Sequence, residues 1–163
     1  MAVVPIEDRL AIQELVHAYP LYCDTHQFDK AADLFTEDGI FDETAVGARM
    51  VNGRADMKAI FREAGNRLGP FMHVCTNHII SEFSGDTASG MCHVVAEGVY
   101  NLADGAKPFR LFGYYDDKYA KVSGQWYFKA RAFKHLAPAQ GAGSNVGGIN
   151  YTNAAKHYGF RSR

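Results

Sequence analysis

The sequence contains no apolar run near the roughly 18 residues that a membrane-spanning helix needs. Its first residues lack the positive charge and the long apolar segment of a secretory signal peptide. Basic residues number 17 and acidic residues 18, with no basic cluster of the kind that binds nucleic acid. These absences predict a cytoplasmic protein that has neither a membrane nor a nucleic acid as its partner.

Reactive and metal-binding motifs are also scarce. The three cysteines, Cys23, Cys75 and Cys92, are an odd number without Cys-x-x-Cys spacing, which predicts reduced thiols in the core. The sequence has no His-x-His or His-Glu-x-x-His motif, no glycine-rich phosphate loop and no Gly-x-Ser-x-Gly turn. We therefore expect no metal and no organic cofactor.

Aromatic side chains, in contrast, are plentiful, with 11 Phe and 9 Tyr in 163 residues. This length suits one domain with a sizeable core, which we place at residues 1–136. Residues 137–163 form a glycine-rich tail. We interpret the tail as a flap over a pocket or as an arm that is exchanged with a neighbouring subunit, the alternative being a disordered terminus.

The spacing of apolar residues predicts the secondary structure. Ile12, Val16, Tyr19 and Cys23 recur on one face of a helix over residues 6–24, which Pro20 should kink or loosen. The other predicted segments are helices at 28–36 and 55–67, short strands at 40–44 and 46–52, and long strands at 71–83, 87–101, 109–122 and 125–136. This order predicts an α+β fold, a conical α+β barrel in which three N-terminal helices pack on a strongly curved mixed or antiparallel sheet.

Two polar residues stand at the ends of apolar segments. Asp24 closes the first helix, where a carboxylate must be solvated or paired. His73 opens a strand of otherwise apolar residues. Each alone has an ordinary explanation, as an exposed loop acid and as a satisfied core histidine. Together they would form a useful unit, because a carboxylate sets the tautomer of an imidazole and raises its basicity. Their spacing does not establish that they meet.

Tyr19 and Arg131 are two further candidates. Tyr19 lies on the inward stripe of the first helix, as a core residue or as a phenol that donates to a developing oxyanion. Arg131 lies in the last strand, either on a solvent face or facing inward as a cation near an anionic intermediate or as a second partner of Asp24. Strict alternation would put one mixed set of residues on one face, which indicates a bulge or a partly open face. The set is Tyr127, Lys129, Arg131, Phe133 and His135.

Three segments together resemble a known family. Residues 6–24 and 28–42, with Tyr-x4-Asp followed by Leu-Phe-Thr-Glu-Asp-Gly, resemble the SnoaL-like branch of the nuclear-transport-factor-two-like superfamily. Residues 73–77 resemble the His-x-x-Thr-Asn strand of those proteins, and residues 126–131 resemble their last strand. The similarity covers residues 6–136.

The resemblance implies a cofactor-free lyase, as in scytalone dehydratase, bile acid 7α-dehydratase and hexachlorocyclohexane dehydrochlorinase. It implies a catalytic set of Asp24, His73, Tyr19 and Arg131. The dehydrochlorinase-like pattern has a lysine at the position of Tyr19, whereas the dehydratase-like pattern has a tyrosine. Tyr19 therefore favours a dehydratase-like lyase that eliminates water or, by the same logic, formaldehyde. The alternatives are a ketosteroid-isomerase-like isomerase or polyketide cyclase, and a non-catalytic module that binds a small ligand.

The expected pocket is apolar and aromatic, which suits an aromatic or polycyclic small molecule. We expect it to be lined by some of Tyr22, Phe35, Phe41, Phe61, Met72, Asn77, Met91, His93, Phe112, Tyr114 and Phe133. A sheet with one face uncovered by helices exposes apolar residues, which favours a homo-oligomer, a trimer rather than a dimer.

Overall fold

The computed structural model describes residues 2–136 and, beyond them, the backbone of two short paired strands, Asn145–Val146 and Ile149–Asn150. The flap or arm predicted for residues 137–163 otherwise lies outside the described residues. The helices are α1 (Ile6–Asp24), α2 (Phe28–Asp33) and α3 (Arg54–Gly65). The strands are β1 (Phe35–Asp42), β2 (Met50–Asn52), β3 (Leu68–Ser84), β4 (Thr87–Leu102), β5 (Gly105–Val122) and β6 (Gln125–His135), with a 3-10 turn at Thr44–Val46.

Six strands form one mixed sheet in the order β2-β1-β6-β5-β4-β3. Only the pairing of β1 with β6 is parallel, and the other neighbours are antiparallel. Ser123 and Gly124 both have positive φ, 51° and 83°, as the tight turn between β5 and β6 requires. Because β3 is an edge strand, part of its backbone is available to groups outside the sheet.

Helix α1 covers one face of this sheet with the predicted apolar stripe. Ile12 and Val16 are fully buried, and Tyr19 and Cys23 are nearly so. Full burial of such a side chain contributes about 1.5–3 kcal/mol. The helix continues through Pro20 to Asp24. Within residues 2–136, no helix is both long and apolar enough to cross a membrane.

The helix predicted at 28–36 is too long. Helix α2 ends at Asp33, and Phe35 is already the first residue of β1. Phe35 is fully buried and stacks on Phe128 of β6, with ring centroids 5.2 Å apart. Tertiary packing against the last strand thus overrides the local helical pattern, as it often does in short segments.

An irregularity in β6 decides which of its side chains face the core. Tyr119 pairs with Phe128 but Lys118 pairs with Ala130, so Lys129 is an extra residue. After this bulge, Arg131 faces inward, whereas Lys129 does not. Of the two explanations of the mixed pattern, a bulge and a partly open face, the bulge is therefore present.

Candidate active site

The carboxylate of Asp24 holds His73 at two points. Oδ1 of Asp24 lies 2.6 Å from Nδ1 of the His73 ring, and Oδ2 accepts the main-chain N–H of His73 at 2.8 Å. The side chains are only 18% and 12% exposed, respectively. Both oxygens of the carboxylate thus bind His73, which lies 49 positions away along the chain.

This contact determines the tautomer of His73. An ionised carboxylate can only accept hydrogen bonds, so Nδ1 must carry the proton. Nε2 then keeps its lone pair and can accept a proton from another molecule. The Asp24–His73 dyad is therefore arranged as a base with its orienting acid.

The position of Asp24 in the fold explains why it reaches His73. Asp24 is the last residue of α1, and β3 is an edge strand whose His73 N–H is available for bonding. A carboxylate at the C-terminal end of a helix is disfavoured by the helix dipole, and the last turn of α1 has no basic residue. The two hydrogen bonds to His73 offset this unfavourable position.

Tyr19 lies on α1 five residues before Asp24 and close to the dyad. Its ring is 3% exposed, and its centroid is 6.4 Å from that of His73 in an edge-on arrangement. Burial raises the pKa of Tyr19 well above its ordinary value, so the phenol stays protonated. The adjacent Cys23 thiol also stays protonated, because burial raises its pKa to about 12. The Tyr19 hydroxyl, which shares a side-chain hydrogen bond with Cys23, is therefore a donor and not an anion.

Arg131 is fully buried, but it is not a second partner of Asp24, and that expectation is wrong. Its Nε and Nη2 donate to the two carboxylate oxygens of Asp117 at 2.9 and 2.8 Å. Asp117 is itself fully buried and also accepts the Tyr119 hydroxyl at 2.9 Å. The pairing arises because the bulge turns Arg131 inward opposite the inward face of β5.

Aromatic rings enclose the rest of the guanidinium. Its central carbon lies 4.6 Å from the ring centroid of Tyr19, 4.2 Å from that of Tyr115 and 4.0 Å from that of Phe128. Within the described chain, Nη1 has no hydrogen-bond partner. Burial acts to lower the pKa of Arg131, but Asp117 outweighs it, so the net pKa is raised well above the ordinary value. Arg131 thus packs on the ring of Tyr19 and carries a permanent positive charge.

More than half of the predicted lining residues do not face the dyad. Met72 and Met91 are 59% and 45% exposed on the outer face of the sheet, which none of the helices α1 to α3 covers. Asn77 and His93 bond each other on that exposed face, with Nδ2 and Nδ1 3.0 Å apart. The prediction that these residues line a pocket with the dyad is wrong, and it is wrong also for Phe112 and Tyr114. The reason is strand alternation, since each is adjacent to an inward-facing residue.

The remaining aromatic candidates lie inside. Phe41 and Phe61 meet edge to face at 5.0 Å, and both lie near Tyr19. Phe133 is 2% exposed and contacts Tyr115, with centroids 6.1 Å apart. Phe35 belongs to the same cluster. Tyr22 is half-buried where α1 meets α2, with the Lys30 ammonium 5.6 Å from its ring centroid.

Glu43 and Asp117 are two interior acids that the sequence reasoning missed. Burial, and then the neighbouring charge of Asp42, raises the pKa of Glu43 to about 7. A usable signal existed for Asp117, because it alternates with Gly113, Tyr115 and Tyr119 on a strand face that is otherwise uncharged. Such a carboxylate requires a buried cation, and Arg131 between two alanines supplies it.

Two cavities formed by the described residues lie away from the dyad, Tyr19 and Arg131. One of about 740 Å³ is lined by β1, β6 and the ends of β3, β4 and β5, and another of about 370 Å³ lies around α2. Neither includes a predicted catalytic residue, and their acids and bases are mainly exposed. We place the candidate site at the dyad, because a base and its orienting carboxylate meet there, rather than at the cavity of about 740 Å³. Residues 2–136 contain no group of three or more His, Cys, Asp or Glu side chains that could hold a metal ion.

The sequence matches a family model described as a SnoaL-like domain over residues 4–132. No protein with a curated description matches the chain.

Solved structures add a fold comparison. One protein from Novosphingobium aromaticivorans, provisionally named an aromatic ring hydroxylase, is 32% identical with a TM-score of 0.77, over 83% of this chain and 94% of that one. A second from this organism, provisionally named a scytalone dehydratase, is 24% identical with a TM-score of 0.68, over 85% and 95%. A third, a nuclear-transport-factor-two-like protein with a cystatin-like fold, is 22% identical with a TM-score of 0.64, over 80% and 83%. The predicted conical α+β architecture is thereby confirmed.

Proposed function

This chain belongs to the SnoaL-like domain family, and we propose that it is a cofactor-independent, dehydratase-like lyase that acts on an aromatic or polycyclic small molecule. The observation that carries the proposal is the two-point contact between Asp24 and His73, which leaves Nε2 of the histidine as a free base. The name of the scytalone dehydratase relative supports dehydration as the chemistry.

In this proposal, His73 removes a proton from a carbon next to a carbonyl group of the substrate. The Tyr19 hydroxyl donates to the oxyanion that develops on that carbonyl. The electrons of the C–H bond form the double bond, and the C–O bond to the leaving group breaks. A positioned base contributes about 10²–10⁴-fold, and one oxyanion donor contributes about 3–4 kcal/mol. Arg131 acts indirectly, because its guanidinium packs on the ring of Tyr19 and holds it in place.

Formaldehyde loss would use the same groups. His73 would then take the proton of a primary hydroxyl, and the O–H electrons would form the C=O bond of formaldehyde. The electrons of the breaking C–C bond would form a C=C bond as the C–O bond on the next carbon breaks, and the departing hydroxide would take the proton from His73 and leave as water. The proposal of an aromatic substrate rests on the aromatic surroundings of Tyr19, whose ring centroid lies 6.1 Å from that of Phe41 and 6.4 Å from that of Phe61.

A panel of aryl β-hydroxy ketones and aryl propanediols tests the proposal. We expect turnover of at least one compound, with the loss of water seen by mass spectrometry or with formaldehyde trapped chemically. His73→Gln should abolish it, whereas His93→Gln, a matched change on the exposed outer face, should not. Activity of His73→Gln within a few-fold of the wild type would contradict the proposed base.

An isomerase is the second candidate, because a base and an oxyanion donor suffice to move a proton along a substrate. The same panel separates the two reactions. An isomerase leaves the mass of the compound unchanged, whereas a lyase product is lighter by the leaving group. A chain that binds panel compounds without converting any would instead be a binding module.

The outer face of the sheet supports self-association. Met72, Val74, Ile79 and Met91 expose between 44% and 59% of their surface there. Exposed apolar side chains of this kind favour a symmetric partner. We propose a homo-oligomer through this face, a trimer in preference to a dimer, which light scattering on the eluting protein would measure.

A further inference from the structure

The backbone directs Glu43 into the same interior as the dyad. Glu43 follows β1 directly, and alternation puts it on the side of Phe41, which is 6% exposed. Asp42, between them, turns away and accepts both the N–H and the hydroxyl of Thr44. The Glu43 carbonyl accepts N–H groups from the following turn, which fixes the backbone at this point.

Three buried groups respond to the Glu43 carboxylate. Its charge raises the pKa values of Tyr19 and Cys23 on α1 and of Tyr115 on β5, in each case after the larger effect of burial. Cys23 directly precedes Asp24 in the chain, and the centroid of the Tyr19 ring is 6.4 Å from that of the His73 ring. The ring of Phe41, on whose side of the backbone Glu43 lies, has its centroid 6.1 Å from that of Tyr19, so Glu43 and the dyad face the same aromatic interior.

Within residues 2–136, no cation neutralises Glu43. On β6, Arg131 is bound to Asp117, and Nε2 of His135 donates to the main-chain oxygen of Ala45 at 2.8 Å. The neighbouring Asp42 adds a charge of the same sign. Among residues 2–136, the carboxylate of Glu43 forms neither a hydrogen bond nor an ion pair. A half-buried, unpaired carboxylate is unfavourable for folding, and such groups are concentrated at functional sites.

We propose that Glu43 is the general acid of this site and donates its proton to the departing oxygen while His73 takes the proton from carbon. The inference rests on the proposed lyase function. The C–H electron pair becomes the C=C bond, the C–O pair leaves with oxygen, and the Glu43 proton converts that oxygen to water. Solvent then removes the proton from His73 and restores the one on Glu43.

The burial of Glu43 suits this role. Burial and the nearby charge of Asp42 raise the pKa of Glu43 to about 7. In a large fraction of the molecules, the Glu43 carboxyl is therefore protonated near neutral pH. A carboxyl in this state can donate a proton, whereas Asp24, bonded to the Nδ1–H and the main-chain N–H of His73, cannot. Two acids in one site with different environments are a recurrent arrangement for acid–base division of labour.

Two substrates with one carbon acid and different leaving groups test the assignment. β-Hydroxypropiophenone must expel water, which needs a proton, whereas β-(4-nitrophenoxy)propiophenone expels 4-nitrophenolate, which does not. Both give the same enone. We expect Glu43→Gln to slow the first reaction about 10²–10⁴-fold and the second less than about fivefold. Glu43→Asp should recover part of the loss, and Glu37→Gln, an exposed acid of β1, should match the wild type.

The outcomes separate the two proposals. Release of 4-nitrophenolate by the wild type and not by His73→Gln supports the lyase function. Equal loss, or no loss, with both substrates in Glu43→Gln would overturn the role of Glu43 while leaving that function intact. A wild type that converts neither substrate, nor any compound of the wider panel, would overturn both proposals. Titration of the Glu43 carboxyl carbon by NMR, assigned with Glu43→Gln, gives an independent readout, and a midpoint near the ordinary value of about 4.3 would also overturn the assignment.

Discussion

Two acid–base pairs in this molecule have the same general make-up and different exposure. Arg131 and Asp117 are fully buried and make two hydrogen bonds to each other. Asp24 and His73 also make two hydrogen bonds, but their side chains are 18% and 12% exposed. In the first pair the cation is permanent and enclosed by rings. In the second pair, one ring nitrogen keeps a free lone pair.

This difference teaches what each pair can do. A buried pair is costly to break, since either partner alone would be an uncompensated charge in the core. A partly exposed pair with a free lone pair can exchange protons with a bound molecule. The same side-chain chemistry therefore serves the fold in one place and, in our proposal, the reaction in the other.

The same substitution at Asp24 and at Asp117 should affect the two pairs differently. The larger effect should be the one of Asp24→Asn on the rate of turnover. Asp24→Asn offers His73 an amide that can donate to Nδ1 and so favour the wrong tautomer. We expect turnover to fall about 10²–10⁴-fold with the fold retained. Steady-state kinetics with a panel substrate measure it, and circular dichroism checks the fold. A loss of less than tenfold would argue against an orienting role for Asp24.

The same change at Asp117 should act on stability instead. Asp117→Asn leaves the buried charge of Arg131 uncompensated, so we expect the free energy of unfolding to fall by about 3–5 kcal/mol. Urea denaturation measures it. The double variant Asp117→Leu with Arg131→Met should recover much of the loss, because both charges are then absent. A double variant no more stable than the single one would show that the charge is not the cause.

Glu43 sharpens the comparison, because it is an acid that has no cationic partner in the part of the chain that the structure describes. Its folded pKa of about 7 lies above the ordinary 4.5, so the folded state binds more protons than the unfolded state between these values. Stability from this group is therefore present below about pH 4.5 and is lost as pH rises to about 7. Relative to the wild type, Glu43→Gln should gain about 1–3 kcal/mol between pH 5 and pH 8. Denaturation of both proteins at the two pH values measures the gain, and parallel pH curves would contradict the raised pKa.

The smallest effect on the fold should come from the outer face, which contains neither pair. Met72→Glu changes a side chain that is 59% exposed, so the stability of the isolated subunit should shift by no more than about 0.5 kcal/mol. In the proposed oligomer, the same charge should favour monomers. Light scattering at several protein concentrations tests this. An unchanged oligomer would remove Met72 from the proposed interface.

Much of the fold could be predicted from local pattern. The stripe of α1 and the four long strands follow from periodicity, and β6 showed its bulge as a mixed alternation. The end of α2 could not be predicted this way, because Phe35 joins the sheet through contacts with Phe128, which lies far along the chain. Local propensity does not contain that information.

The candidate site was less accessible to sequence reasoning. No local signal joined Asp24 to His73, and their pairing was anticipated only through resemblance to a family. The orientation of Met72, Met91 and Phe112 needed only alternation counted from His73 and its neighbours across the sheet. The partner of Arg131 required the inward face of β5, which becomes clear once Asp117 is read together with Tyr115.

The hydrogen bond from the main-chain N–H of His73 to Asp24 has a consequence for solubility. A long edge strand such as β3 presents unpaired N–H and C=O groups that can template the addition of a strand from another molecule. Asp24 occupies one of these N–H groups with a charged side chain from outside the sheet. The residue that orients the proposed base therefore also guards the sheet against edge-to-edge aggregation.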